Sequence, residues 1–266
     1  MKCKLMKSSF LIFTVTLFLT SNSFSNPVGV QEIYEIRVYS MKTSGQVSDM
    51  ENYFKNSLVP ALHKQGISKV GVFKVLGIDT AAIKMIYVLT PYKSLDQWHM
   101  IKNNLTKDQN FVKNSSSFYN AAFDKAPYER METILTEAFP KHPAFEIPNL
   151  KTDKPNRIYE LRSYESPTEH LFERKVTMFN QGDEVGLFKR LNFNAIFYSS
   201  VIAGSKMPNL IYMISFENMA DHDEHWKQFG NDPQWKKIST MPEYENKVSV
   251  SHIDSILLNP AEYSDF

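Results

Sequence analysis

Glu35, Arg37 and Tyr39 stand at alternate positions of one short segment, and Glu160, Arg162 and Tyr164 repeat the arrangement 125 positions later. In an extended strand alternate side chains share a face, so each triplet gathers an acid, a guanidinium and a phenol on one side of a sheet. The chemistry open to such a set is recognition. A guanidinium fork suits a carboxylate, and tyrosine offers a flat ring with a hydroxyl that donates and accepts. Arranged about one axis, the two triplets would line a polar chamber for a small anionic or aromatic molecule. A structural reading competes with this one. Glu35 can pair with Arg37, and Glu160 with Arg162, and such pairs satisfy each other and serve only the fold.

The histidines give less. Asp221-His222-Asp223-Glu224-His225-Trp226 falls on a predicted helix, where His222 and His225 share a face. Their spacing is not the His-Glu-x-x-His of zinc proteases, and a helix outside the sheet usually presents such a run to solvent, so no metal is expected. His63, His99, His142, His170 and His252 are scattered, and no spacing selects one as a haem ligand or general base. There is no glycine-rich phosphate loop and no Gly-x-Ser-x-Gly elbow. No cofactor is expected, and no catalytic residue can be nominated.

What must position the triplets is a unit written twice. Tyr34-Glu35-Ile36-Arg37-Val38-Tyr39 recurs as Tyr159-Glu160-Leu161-Arg162-Ser163-Tyr164, and the same offset carries Ile86-Tyr87 onto Ile211-Tyr212 and Phe73 onto Tyr198. Asp108-Gln109-Asn110-Phe111 resembles Asp232-Pro233-Gln234-Trp235 at an offset of 124. Several matches in one order argue duplication.

Each copy changes period as a β-α-β-β-α-β unit requires. The first opens with a strand over 32–40. Val47, Met50, Phe54, Leu58 and Ala61 then mark one helical face, Pro60 should kink or restart that helix, and Gly66 suits the position after its end. Apolar runs over 70–76 and 83–89 read as a hairpin. A second helix begins near Ser94 and reads as shorter than its counterpart, and 129–138 closes the unit. The second copy offers Ser166-Pro167 as a helix start, a hairpin over 193–202 and 210–216, a helix over 219–229, a short helix after Asp232-Pro233, and a last strand over 248–258.

Residues 140–156 hold Pro140, Pro143, Pro148 and Pro155, a density that breaks helices and central strands. They read as an extended linker pinned to the surface by Phe145 and Ile147. The halves are then 28–139 and 157–260. Each four-stranded sheet leaves one face bare, and two halves can cover each other. The fold class is α+β: two tandem ferredoxin-like (βαββαβ) halves packed sheet to sheet as an intrachain dimeric α+β barrel. Tyr34, Ile36 and Val38 should lie beneath the helices, and the Glu-Arg-Tyr sets should face the space between the sheets.

Lys2, Lys4 and Lys7 precede an uncharged run over 10–19, too short to cross a bilayer core of about 30 Å as a helix. Ser23-x-Ser25 fits a signal-peptidase site. Residues 1–25 therefore read as a signal peptide, and the mature chain as exported, periplasmic or extracellular, with no membrane association after cleavage. Cleavage would remove Cys3, the only cysteine, and with it any disulfide, thiol nucleophile or cysteine metal site. The formal charge of +1, from 30 basic and 29 acidic residues, becomes −2 without the three lysines. No Lys/Arg run forms a nucleic-acid stripe, which argues against nucleic acid as a partner. The oligomeric state is left open, since the barrel can close within the chain or each half can pair with a partner chain.

Tyr159-Glu160-Leu161-Arg162-x-Tyr164, the run Gly204-Ser205-Lys206-Met207-Pro208-Asn209-Leu210-Ile211-Tyr212-Met213, and Asp232-Pro233-Gln234-Trp235-Lys236 resemble the NIPSNAP family over 156–260. Residues 31–139 resemble it more loosely, through 34–39 and Val59-Pro60-Ala61-Leu62. The resemblance implies a ferredoxin-like, dimeric α+β-barrel fold and brings no agreed catalytic residues. Animal members of the family are linked to mitochondria and vesicle traffic, roles that do not carry over to an exported chain. The function expected is a small-molecule-binding or interaction module. The alternative, by fold analogy alone, is a small monooxygenase-like, haem-degrading or lyase-like enzyme acting in the inter-sheet chamber.

Overall fold

A computed structural model describes residues 30–266; the signal-peptide reading of residues 1–25 lies outside the described residues. The first half runs β1 (Ile33–Met41), α1 (Ser44–Tyr53), a π-helical turn (Phe54–Leu58), α2 (Val59–Lys64), β2 (Gly71–Val75), β3 (Lys84–Tyr92), α3 (Leu95–Lys107), α4 (Gln109–Asn114), α5 (Ser116–Tyr119) and β4 (Arg130–Ala138). The second runs β5 (Ile158–Glu165), α6 (Glu169–Asn180), α7 (Glu184–Arg190), β6 (Phe197–Ala203), β7 (Asn209–Phe216), α8 (Met219–Asn231), α9 (Pro233–Ile238), α10 (Asn246–Ser249) and β8 (His252–Pro260).

The helix caps show the duplication most directly. Thr43 caps α1 by accepting from Gln46 N, and Thr168 caps α6 by accepting from Leu171 N. The expected start at Ser166-Pro167 is thus two residues early. Ser94 and Asn218 cap α3 and α8, which are both 13 residues long, so the first copy's second helix is not the shorter one. Asp108 and Asp232 cap α4 and α9 in the same way. Each cap satisfies backbone donors that a helix leaves unpaired in its first turn. The last strand begins at His252, because 246–249 turn into α10 instead of extending.

The eight strands form one closed antiparallel barrel in the order β1-β3-β2-β8-β5-β7-β6-β4. The halves join edge to edge, Val75 pairing with Leu258 and Ala138 with Ser199. Closure leaves no sheet edge unpaired, the most complete answer to the edge problem. No helix among the described residues is long and apolar enough to cross a membrane.

Three cores result. One fills the barrel with residues of both halves, among them Tyr34, Ile36, Phe73, Tyr159, Leu161 and Phe197. The other two lie between the barrel wall and the helices of each half. An eight-stranded barrel is just wide enough for side chains to fill, and here they do. Phe145 of the linker is only 2% exposed and packs 5.4 Å from Tyr34, at the barrel end where Phe266 meets Phe73. It plugs the barrel rather than pinning the linker to the surface, and Ile147, 46% exposed, pins nothing.

Strand pairing fixes which residues of the two halves correspond. Ile36 pairs with Leu89, and Leu161 with Met213, so β3 maps onto β7 at an offset of 124. Gly71 pairs with Leu89 and Phe197 with Met213, so β2 maps onto β6 at 126. The expected matches of Tyr87 with Tyr212 and of Phe73 with Tyr198 are therefore one residue out. Tyr87 and Phe73 face the barrel interior, whereas Tyr212 and Tyr198 face the helices.

Candidate functional site

The Glu-Arg-Tyr sets lie on the side opposite to the one expected from the rule that the more apolar set faces the helices. Tyr34, Ile36, Tyr159 and Leu161 occupy the barrel interior, and Glu35, Arg37, Tyr39, Glu160, Arg162 and Tyr164 lie under the helices. The reason is polar satisfaction. A buried carboxylate needs donors. The barrel interior offers hydroxyls such as those of Tyr34 and Tyr159, whereas the helix side brings guanidinium, indole and imidazole nitrogens to the carboxylate. Among the described residues, the space expected to be a polar chamber is occupied by packed, mainly apolar side chains.

In the first half the set is nearly closed on itself. Glu35, 1% exposed, lies 3.0 Å from Arg37 and accepts from the Tyr92 hydroxyl at 3.2 Å. Tyr39 packs edge-on against Phe54 and Tyr128. In the second half the set opens into a network. Glu160 accepts from Arg162 at 2.5 Å, Ser255 Oγ at 2.5 Å and Trp226 Nε1 at 2.7 Å, with His222 Nε2 at 3.2 Å. Arg162 donates on to the Tyr164 hydroxyl, which meets the Tyr212 hydroxyl at 3.3 Å, and its guanidinium lies 4.7 Å over the Trp226 ring. His222 is thus turned inward onto Glu160, not out to solvent. His225 is half-buried, its Nδ1 2.8 Å from the Asp221 carbonyl.

Beyond Tyr164 lies a pair that the sequence reading missed. Lys175 of α6 and Glu184, the first residue of α7, are 1% and 3% exposed, and their charged ends stand 3.6 Å apart. Burial pushes the Lys175 ammonium below its ordinary range and the Glu184 carboxyl above its own, and their mutual attraction offsets part of both shifts. Lys175 also lies 5.4 Å over the Tyr164 ring. Glu184 Oε2 and the Tyr198 hydroxyl are buried without a hydrogen-bond partner among the described residues. Glu184 is among the charges that hold the Tyr198 and Tyr212 phenols protonated, after burial itself.

The first half supplies an internal control. Thr43 and Thr168 start matching helices, and Val59 and Glu184 open α2 and α7, all at an offset of 125. Lys175 therefore corresponds to Met50 and Glu184 to Val59. By strand pairing Tyr198 corresponds to Val72, and Tyr212 to Val88. Met50, Val59, Val72 and Val88 are 0%, 4%, 1% and 1% exposed. One copy of the fold thus fills these positions with apolar side chains, and the other with a lysine, a glutamate and two tyrosines. The fold does not require the polar set, since a buried ion pair is typically no more stabilising than well-packed apolar residues of like volume. Titratable groups shifted by burial and gathered beside a cleft make this set the candidate site.

Beside this cluster a cleft of about 360 Å³ opens between the linker and α7. Lys141, His142 and Lys189 bring basic groups to it, Glu146 brings the one acid, and Tyr198 forms part of its wall. Burial lowers the His142 imidazole below its ordinary range. Elsewhere, Glu165, His252 and Asp254 approach one another at the barrel rim, but the Lys206 ammonium already lies 2.7 Å from Asp254 and 3.6 Å from Glu165.

The sequence matches the NIPSNAP family model over residues 34–131 and 159–265. No curated protein matches it. Among solved structures it is similar to a proposed monooxygenase from Lactobacillus acidophilus, at 11% identity and a TM-score of 0.56, over 86% of this chain and 94% of that one. A proposed monooxygenase from Fusobacterium nucleatum aligns at 9% identity and a TM-score of 0.55, over 87% of this chain and 93% of that one. A NIPSNAP family protein from Agrobacterium tumefaciens aligns at 18% identity and a TM-score of 0.36, over 42% of this chain and 99% of its own. At these identities the likeness is one of fold.

Proposed function

The chain belongs to the NIPSNAP family, whose model it meets in both halves, and from that premise we propose that it is an exported small-molecule-binding protein with its site in the second half, between the barrel wall and helices α6 to α8. The observation that carries this reading is the exchange of Met50, Val59, Val72 and Val88 for Lys175, Glu184, Tyr198 and Tyr212 at matching positions of the two halves. Arg162 and Tyr164 join the same site through the Tyr164–Tyr212 contact. Their counterparts Arg37 and Tyr39 serve the packing of the first half.

Native mass spectrometry of the gently purified mature protein tests it. A small bound molecule is expected in the wild type and in the control Met50→Leu, and is expected to be absent from Lys175→Met/Glu184→Val. A bare-chain mass in every preparation, or a ligand retained by the double variant, overturns the reading. Export is tested separately by N-terminal sequencing of the mature protein. The first residue is expected to be Asn26, and a chain that still begins at Met1 after secretion assays would remove the export proposal.

One observation favours a second reading, a small enzyme. Lys175 and Glu184 have proton affinities pushed toward each other by burial, the condition in which a pair can exchange a proton with a bound molecule. An enzyme that works inside the barrel has no such support, because apolar side chains fill that space.

A further inference from the structure

On the reading just given, we propose that α7 is the gate of the Lys175 site, and that the cleft on its outer side admits a small organic anion whose carboxylate takes the place of Glu184. Four observations converge on this.

First, α7 lies over the pair and contributes one member of it, as α6 contributes the other. Its first residue is Glu184, and Leu187 and Phe188 are buried beneath it. Moving α7 outward therefore carries Glu184 off Lys175 and leaves the ammonium, with Arg162 on the far side of Tyr164, without that acid.

Second, α7 is jointed at both ends. Asp183 at its start has φ of 63°, and Asn192 and Asn194 after its end have φ of 58° and 44°. Left-handed backbone is unfavourable for most non-glycine residues, and aspartate and asparagine are the ones that adopt it most readily, as single residues that end a helical run. Among the described residues of the first half only glycines take positive φ. There α2 follows α1 without interruption, through the π-helical turn over Phe54–Leu58. The half with the apolar positions has a continuous helix, and the half with the polar ones has a detached segment.

Third, one motif holds both ends of α7 down. Arg190, its last residue, makes a two-pronged contact with Asp232 at 2.9 and 3.0 Å, while Gln234 Nε2 donates to the Asp183 carbonyl at 3.4 Å. This gives the Asp232-Pro233-Gln234 run a task beyond starting α9. In the first half Asp108 holds Lys64, at the end of α2, with a single ammonium contact.

Fourth, the cleft and the buried site share a wall. Tyr198 lines the cleft and belongs to the Lys175 cluster, and Val185 of α7 lies between them. Lys141, Lys189 and His142 line it with one acid, Glu146, while Pro143 and Val185 are apolar; Lys141 also lies 3.5 Å from the Asp183 carboxylate at the start of α7. Such a lining suits a carboxylate on an apolar body.

Reductive methylation of lysines by formaldehyde and borane, read by peptide mass spectrometry, tests the gate. Arg190→Gln removes the latch and keeps Asp232 as the cap of α9. In this variant Lys175 is expected to be methylated about tenfold faster than in the wild type, as when a local opening is favoured over global unfolding. Millimolar benzoate is expected to slow the labelling of Lys175 and Lys189 together. Lys84, whose ammonium is held by three carbonyls of the adjoining β2–β3 turn, is the control for opening away from α7 and should not change. The inference falls if Lys175 labels at the wild-type rate in Arg190→Gln, if Lys84 accelerates with it, or if benzoate protects Lys189 and leaves Lys175 reactive. In each of these cases the ligand seen by native mass spectrometry, and its loss in Lys175→Met/Glu184→Val, would still stand.

Discussion

Lys175→Met is expected to destabilise the protein by about 3–5 kcal/mol, and adding Glu184→Val to restore that loss and exceed the wild type by about 1–4 kcal/mol. The single change leaves a carboxyl 3% exposed with its direct partner gone and only the more distant Arg162 to offset its burial. The double change installs the residues that the first half uses at the same positions, Met50 and Val59, both buried and apolar. The sign with pH follows from Glu184. Its folded pKa lies above the ordinary 4.5 because of burial, and losing Lys175 removes the larger of the two attractions, from Lys175 and Arg162, that hold it down. A raised carboxyl contributes stability that is complete below the unfolded pKa and is lost as pH rises through the folded one. The deficit of Lys175→Met should therefore be larger at pH 8 than at pH 5. Urea unfolding of the three proteins at both pH values measures this, and a double variant less stable than the single would contradict it. A protein that gains stability by losing the pair keeps the pair for another reason, in line with the general conflict between active sites and stability.

The barrel was legible in the sequence because duplication is a long-range signal that survives local ambiguity. Strand alternation told which residues travel together, Glu35 with Arg37 and Tyr39, but not toward which side. In a closed barrel covered by helices both sides are buried, so the rule that apolar residues face the helices has no purchase. Availability of donors decides instead, and His222, Trp226 and Tyr92 stand on the helix side. The polar cluster was hidden by a different effect. Loops between the strands differ in length, so the correspondence slips from 125 at β1 to 124 at β3 and 126 at β2. A single offset laid Tyr212 on Tyr87 and Tyr198 on Phe73, and the two pairs looked like shared aromatics when they are tyrosine against valine on the helix side. The helices carried a legible trace. Val47, Met50 and Phe54 mark the buried face of α1, and adding 125 gives Phe172, Lys175 and Phe179. A lysine inside an otherwise apolar stripe was the one available sign.

Glu160→Gln is expected to cost about 3–5 kcal/mol, and Glu35→Gln about 1–3 kcal/mol, although the two glutamates are equally buried and each pairs with an arginine two residues on. The difference lies in what surrounds the carboxylate. At Glu35 the partners are Arg37 and the Tyr92 hydroxyl. A glutamine can keep its oxygen on the Arg37 hydrogen bond to Oε1, and the hydroxyl turns to accept from the new amide. The remaining cost is the approach of Arg37 to the amide end, since it lies 3.0 Å from Oε2 in the intact protein. At Glu160 one oxygen faces Arg162 and Ser255, and the other faces Trp226 and His222. An indole and a guanidinium only donate, so whichever end carries the amide nitrogen meets a donor it cannot satisfy. Trp226 and Arg162 are then released together, and the stack between them, 4.7 Å in the intact protein, should loosen. Thermal unfolding separates the two variants, and near-ultraviolet circular dichroism should change in Glu160→Gln while staying close to wild type in Glu35→Gln. Equal losses would mean that the helix-side donors contribute nothing to holding Arg162. Arg162 would then be as free as a surface arginine, and the orientation that brings it to Tyr164 and the Lys175 cluster would have no structural cause.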